Sequence, residues 1–445
     1  MFLAIALLLA QADDFVRVDR DDRVERAHGR RSTVAIESFQ FFEFAPASGT
    51  GMGTACACTN PTGAKGETLT FTRASSATCT ATATGGLATT GIANGDLVTC
   101  STNQARVEYD AAGVKGLLVE GARTNSVVRS DEMDNASWSN VASGSSITVT
   151  ANAATSPFGT LTAERYQFGA TTGAQYSLAL QAGACPASAS VASVFIKGNG
   201  TSGVTDICTA VGTTTCGVCN FVADSWTRCA LTVSSFGTQI NIGNAGVFTG
   251  GVSRSAADVF LSGVQCEAGT FVSSYIPTTS AAVTRATEAT GWFDLGASAP
   301  AANLFSSAAT VTHSWLYNVG NGLGYPGVLS ASPAAANDAS GKGWLMYSPG
   351  SGGTSARCWG GNDAAGVTTT GTVSTLASSQ RMWCSANSAL NGAYGANTMS
   401  ASAAQSGTFS PARYLSIGVF AAGVGEPWWG IISKACVSPD PAACR

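Results

Sequence analysis

Charge is scarce in this chain. Only 11% of its 445 residues are Asp, Glu, Lys or Arg, the net charge is −4, and there are just five lysines. No basic field exists to hold nucleic acid or an anionic membrane surface, which excludes both as partners. Histidine is scarcer still, with His28 and His313 alone. His313 sits in an alternating run beside Trp315, where a packed or surface strand residue accounts for it. No Gly-x-Ser-x-Gly elbow is present, so a Ser-His-acid nucleophile has no basis. Walker and dinucleotide-binding patterns are absent too. Acids are few outside one N-terminal stretch, and no closely alternating Glu-x-Asp-x-Glu strand supplies the two carboxyl groups, about 5 to 9.5 Å apart, that a glycosidase needs. The apolar run Phe2–Leu9 falls well short of the about 20 residues that a membrane-spanning helix requires.

What the chain does have is apolar and small residues. An apolar content of 45% with 52 glycines, and abundant Ala, Ser and Thr, is too hydrophobic and too weakly charged for a disordered polymer. At this length it builds two to four domains with cores of their own.

Fourteen cysteines fall in even numbers, four, six and four, in the stretches delimited below. Cys56, Cys58, Cys79 and Cys100 come first; Cys185, Cys208, Cys216, Cys219, Cys229 and Cys266 lie in the middle; Cys358, Cys384, Cys436 and Cys444 come last. An even number in each is what intramodular disulfides in an oxidising compartment produce, with the pairing left open. Zinc is the rival reading of Cys56-x-Cys58 and Cys216-Gly-Val-Cys219, but neither has a second nearby pair and histidine is almost missing. A redox CxxC is disfavoured because the CGVC lies between β-like runs and opens no helix.

In chain order, residues 1–12 read as a signal peptide, the apolar run ending in Ala10-Gln11-Ala12 as signal peptidase prefers, or else as an apolar peg that docks into a partner. Residues 13–44 form a charged arm of interleaved acids and arginines without a helical stripe, closing on the alternating Ser38-Phe-Gln-Phe-Phe-Glu-Phe44. Residues 45–115 read as a small β domain whose core is too thin to hold without disulfides worth about 2–4 kcal/mol each. Between 116 and 288, short alternating runs separated by turn residues predict a β-sandwich. The strand candidates there are 146–151, 163–168, 176–180, 192–196, 205–210, 228–233, 240–242 and 258–265. Trp138 and Trp226 are expected to pack in the core. From 289 to 445, runs at 310–318, 343–347, 356–360, 381–385 and 414–420 predict a second sandwich. The fold class is therefore all-β: tandem antiparallel sandwiches of jelly-roll kind, preceded by a small disulfide-rich β domain and a charged arm.

Four ordered pieces within the chain carry a resemblance. They are Leu69-Thr-Phe-Thr-Arg-Ala-Ser75, Gly116-Leu-Leu-Val-Glu-Gly-Ala-Arg-Thr-Asn125, Asn135-Ala-Ser-Trp138 and Ser274-Tyr-Ile-Pro-Thr-Thr279. They resemble the junction and carbohydrate-binding-like sandwich of bacteriophage head and tail fibre proteins and related bacterial surface adhesins. Asp224-Ser-Trp-Thr-Arg228 resembles a strand common in such modules. More faintly, Leu390-Asn-Gly392, Tyr414-Leu-Ser-Ile-Gly418 and Trp429-Gly-Ile-Ile432 resemble the hairpin and closing strands of laminin-G and concanavalin-like sandwiches. The resemblance implies attachment to a cell-surface or capsular glycan by a secreted, cell-surface or virion-borne protein that acts as a homo-oligomer, commonly a trimer, without catalysis.

A sugar presents apolar C–H faces rimmed by hydroxyls, so a binding surface needs exposed aromatics beside Asn, Asp, Gln or Arg. In the last module the candidates are Trp344, Tyr347, Trp359 with Asn362 and Asp363, Trp383 with Asn387, Tyr394, and the Trp428–Trp429 pair, some of which must be core instead. Asp131, Glu132 and Asp134 cluster in one loop and could ligate calcium through hard oxygens, against the plainer reading of a solvated turn. Two alternatives stand beside the adhesin: a structural subunit of a filament or virion decoration, and a polysaccharide depolymerase.

Overall fold

A computed structural model describes residues 70–80, 97–110, 113–188, 190–210, 214–234, 237–290 and 293–294, followed by the strands named below between 308 and 438. The expected signal peptide or peg at 1–12, the arm at 13–44, and Cys56 and Cys58 lie outside the described residues. The fold is all-β, and among the described residues no helix is long and apolar enough to cross a membrane.

The leading strands are β1 (Phe71–Thr72), β2 (Ala77–Thr80), β3 (Leu97–Cys100), β4 (Arg106–Asp110), β5 (Gly113–Val119) and β6 (Arg123–Asn125). β2 and β3 pair antiparallel, and the Cys79–Cys100 disulfide closes that hairpin.

The central sandwich takes ten strands: β7 (Ser139–Ser143), β8 (Ile147–Ala154), β9 (Ala163–Phe168), β10 (Tyr176–Gln181), β11 (Ser190–Gly198), β12 (Gly203–Ala210), β13 (Thr215–Phe221), β14 (Thr227–Val233), β15 (Gln239–Asn244) and β16 (Ala257–Ala268). They form two antiparallel five-stranded sheets in the orders β13-β12-β15-β10-β7 and β14-β11-β16-β9-β8. Alternation sends one row of each strand inward. Ala192, Val194 and Ile196 of β11, Val259 and Leu261 of β16, and Tyr166 and Phe168 of β9 meet Ile207, Phe221, Ile240 and Ile242 of the other sheet in one buried cluster, with Trp138 at its margin. All eight anticipated segments fall on strands. β7 and β13 are additional: β7 is polar and mostly exposed, and β13 carries the CGVC. The ladder separates those two cysteines, since Cys216 bonds its cross-strand neighbour Cys208 while Cys219 bonds Cys229 on β14 of the opposite sheet. Cys185–Cys266 ties the β10–β11 connection to β16. All eight described cysteines whose bonding is resolved are therefore in disulfides, and the six of the sandwich pair among themselves.

The chain leaves the sandwich through β17 (Val283–Arg285), β18 (Ala289–Thr290) and β19 (Phe293–Asp294). β20 (Ala308–Trp315), β21 (Gly327–Ser332), β22 (Gly343–Tyr347), β23 (Ser355–Gly361), β24 (Gly366–Thr372), β25 (Ser379–Ala386), β26 (Ala389–Tyr394), β27 (Ala401–Ala404), β28 (Tyr414–Ile417) and β29 (Gly430–Ser438) follow. These make a six-stranded sheet, β19-β28-β21-β22-β23-β24, and a seven-stranded one, β27-β26-β25-β20-β29-β5-β4. Asn391 and Gly392, expected at a hairpin tip, lie inside β26 and pair with Ser385 and Cys384 on one side and Ser402 and Ala401 on the other. The backbone prefers a full ladder on both sides to a turn there.

The last sheet shows a chain path that periodicity alone does not reveal. Its edge hairpin, β4–β5, comes from before the central sandwich and crosses the expected boundary at 115/116, with Leu117 and Leu118 opposite Ile432 and Ile431 of β29. The ten strands of the central sandwich thus lie, in sequence, between two strands of one sheet. Where the chain enters and leaves that insertion, β6 and β17 pair antiparallel, Arg123 opposite Arg285 and Asn125 opposite Val283, forming a neck.

Candidate functional site

Three of the four motif pieces, those holding Arg73, Glu120 to Asn125 and Ser274 to Ile276, meet at the neck, while Asn135 to Trp138 lies at the margin of the sandwich core. Arg73, Arg106, Glu120, Arg285 and Glu288 are all at most 1% exposed. Glu288 accepts from Arg73 Nη1 at 2.9 Å and from Arg106 at 2.5 and 2.6 Å, and takes the Glu120 backbone N–H at 2.8 Å. Glu120 accepts from Arg106 at 2.7 Å, faces Arg285 at 2.9 Å, and receives both the backbone N–H and the hydroxyl of Ser274. Burial alone would raise the Glu120 carboxyl; Arg285 and then Arg106, with hydrogen bonds from Ser274 and Arg106, overcome it and hold the group well below the usual carboxylate range. Asn125 uses its whole amide: Nδ2 donates to the Val264 and Ile276 carbonyls, and Oδ1 accepts from the Val127 and Cys266 amides. These residues are sealed from solvent and spent on one another, so the polar letters of the motif mark a joint in the fold.

In the acidic loop two of the three candidate carboxyls have protein partners. Asp131 turns inward to accept from Ser262, from Thr162 at 2.8 Å and from the Gly263 amide at 3.2 Å. Glu132 pairs with Arg129 at 2.8 Å, and Asp134 is exposed. Among the described residues no three His, Cys, Asp or Glu side chains are grouped to hold a metal. Asp131, through Ser262, Thr162 and Gly263, and Glu132, through Arg129, thus have protein partners, as the reading of a polar turn expects. Beside them Glu164, on the inward row of β9, is 1% exposed and its Oε2 lacks a hydrogen-bond partner. Burial, then the charges of Asp134 and Asp131, push its carboxyl up to about 8.

The C-terminal aromatic candidates are distributed over two sheets. Trp344 and Tyr347 are on β22 and Trp359 on β23 of the six-stranded sheet, where Trp359 is opposite Leu345 and Trp344 opposite Gly360. Trp383 and Tyr394 are on β25 and β26 of the seven-stranded sheet. Asn362, Asp363, Asn387, Trp428 and Trp429 lie outside the described residues.

An arrangement absent from the expectations lies on the outward row of the β14-β11-β16-β9-β8 sheet. Lys197, Phe260, Arg165 and Thr150 are cross-strand neighbours on four successive strands. The Lys197 ammonium lies 5.0 Å from the centroids of both the Phe260 and Trp226 rings. Trp226 is half-buried and donates its indole N–H to the Thr155 carbonyl at 3.3 Å. Only Trp138 of the two expected core tryptophans packs inside, at 5% exposure. Arg165 grips Asp258 with two bonds of 2.8 and 2.6 Å, and Asn199 adds a third to the same carboxylate. The hydrogen bond from Arg165 is the main cause that lowers the Asp258 carboxyl. Gln167, exposed, stands opposite Asp258. Farther along the face, Phe195 meets Phe158 edge-on at 5.7 Å, with Arg228 over its other side at 5.2 Å. The signal in the sequence was the odd-numbered row Phe195, Lys197 of Val-Phe-Ile-Lys, set against Phe260. Rings flanked by cations and amides on a solvent-facing sheet have the chemistry to stack on C–H faces and bond hydroxyls.

The fold and surface define a disulfide-linked, all-β protein built of sandwiches. No family model matches the chain, and no curated protein matches it. Among solved structures it is similar to domains LG4-5 of the mouse laminin alpha1 chain, at 9% identity and a TM-score of 0.20, over 72% of this chain and 89% of that one. So slight a likeness leaves the function to be argued from the residues.

Proposed function

We propose that the protein is an exported or virion-borne, non-catalytic glycan-binding adhesin or fibre component, attaching to cell-surface or capsular polysaccharide. The observation that carries this reading is the outward row Trp226, Lys197, Phe260 and Arg165 with Gln167 beside it, a shallow aromatic and polar strip on a rigid sheet. Four disulfides support an oxidising exterior. Four carboxylates of the sandwich and neck are held by arginines, which supports binding over hydrolysis: Glu120 and Glu288 by Arg106, Asp206 by Arg254 and Asp258 by Arg165. An open sheet face binds single sugars weakly, and a homo-oligomer, trimeric as the resemblance implies, would raise avidity by displaying several faces at once. A glycan array probed with the whole protein and with Trp226→Ala tests the reading. Binding by the wild type that falls with the substitution supports it; silence of the wild type across bacterial polysaccharides overturns it.

A further inference from the structure

We infer that the outward face around Lys197 selects acidic sugars, a polysaccharide carrying one carboxylate per uronic-acid unit. This rests on the glycan-binding reading above and narrows its ligand.

Lys197 differs from three arginines of its sandwich and from Arg228, which is held by the Ser273 carbonyl and the Ser193 hydroxyl. Arg129, Arg165 and Arg254 each hold a carboxylate at 2.6 to 2.8 Å. Among the described residues, Lys197 has no carboxylate within ion-pair distance and donates no hydrogen bond; its neighbours are the rings of Trp226 and Phe260. Rings hold an ammonium by its charge but accept no strong hydrogen bond, so its N–H groups remain available to a strong acceptor. A half-buried ammonium flanked by rings favours an anion that also presents an apolar face. A uronate does both: its ring C–H groups lie on Phe260 or Trp226 while its carboxylate reaches the ammonium. Gln167, two strands from Lys197 and opposite Asp258, is exposed to meet a hydroxyl of a longer chain.

The same surroundings limit how much charge the face accepts. Arg165 is neutralised by Asp258, which leaves one uncompensated cation in the row. The chain as a whole carries −4, so a densely sulfated polymer meets repulsion that the single ammonium of this row does not offset. One carboxylate per sugar matches one ammonium.

The experiment uses the full-length, disulfide-intact protein in affinity electrophoresis against polygalacturonate, its carboxyl-reduced neutral counterpart, and dextran. Polygalacturonate is expected to bind about tenfold more tightly than the reduced polymer, with the advantage shrinking as salt rises. Lys197→Met should erase that advantage and Lys197→Arg should keep most of it. Thr150→Glu, which places an acid on the exposed end of the same row and leaves the lysine in place, should weaken polygalacturonate binding alone. If the wild type prefers the reduced polymer or treats both alike, or if Lys197→Met and Thr150→Glu leave the preference intact while Trp226→Ala abolishes binding, the acidic-sugar inference fails and glycan binding survives. If no polysaccharide is retarded, glycan binding itself fails.

Discussion

Arg106 and Glu288 are 182 residues apart in the chain, yet their side chains meet at 2.5 Å with neither exposed to solvent. Arg106 opens β4 of the C-terminal sheet and Glu288 follows the exit strand of the central sandwich, so this contact joins the two bodies of the fold at the neck. Removing one member of a buried pair strands the other's charge, a loss of about 3–5 kcal/mol. Arg106→Met is therefore expected to lower unfolding stability by about that amount in urea titration. A change under about 1 kcal/mol would mean that the neck relaxes and rehydrates its acids.

Stability should also fall as pH rises toward alkalinity, and Glu164 gives the reason. Its native carboxyl, pushed up to about 8 from an ordinary 4.5, holds a proton that the unfolded chain has already released. Between those values unfolding sheds the proton, so stability present below about 4.5 is lost as pH climbs through about 8, at up to about 1.4 kcal/mol per unit. Asp131, also raised by burial, acts in the same sense. Glu120 acts oppositely, because its depressed carboxyl loses its contribution only as pH falls well below 4.5. Melting temperatures at pH 5, 6.5 and 8 should decline for the wild type and decline distinctly less for Glu164→Gln, in which Asp131 remains. Parallel slopes for the two would reassign the titration.

Much of the central sandwich was legible because its strands bury one face: Ala163–Phe168 and Tyr176–Gln181 alternate or run apolar between clear turns. β7, with Ser139, Asn140 and Ser143 exposed, has no apolar row to read. β21 and β24, Gly-Val-Leu-Ser-Ala-Ser and Gly-Val-Thr-Thr-Thr-Gly-Thr, are equally featureless. Even cysteine counts anticipated closed disulfide sets, but not that Cys216 and Cys219 would part to opposite faces, which follows from odd spacing on a strand. The motif around Glu120 was visible as a pattern, while its cause was not, because Arg73, Arg285 and Glu288 become neighbours only once the neck closes. Trp226 was misjudged as core for a related reason: its position depends on where β14 begins, and that ladder puts it beside Lys197.

The disulfides should differ in what they contribute. Cys185–Cys266 closes a span of 81 residues and Cys208–Cys216 one of only 8. On chain-entropy grounds their removal costs about 4–5 and about 2–3 kcal/mol respectively. Paired Cys→Ala variants compared by thermal denaturation should rank in that order. The reverse order would indicate that native contacts around Cys208, beside Leu178 and Ala245, outweigh the loop term.

The nesting of one sandwich within another makes its own demand. Leu117 and Ile432 are both fully buried and stand directly opposite across β5 and β29, although the whole central sandwich separates them in sequence. If this pairing holds the C-terminal sheet closed, Leu117→Ala should cost about 2–5 kcal/mol, as should Ile432→Ala. Because the two side chains share one site, the double variant should lose less than the sum, with a coupling of at least about 0.5 kcal/mol. Hydrogen exchange adds a sharper readout: in Ile432→Ala the amides of β5 should lose protection, while those of β11 and β16, inside the sandwich core, stay slow. Loss confined to β29, with β5 still protected and strict additivity in the cycle, would separate the two strands and return β4–β5 to the leading segment.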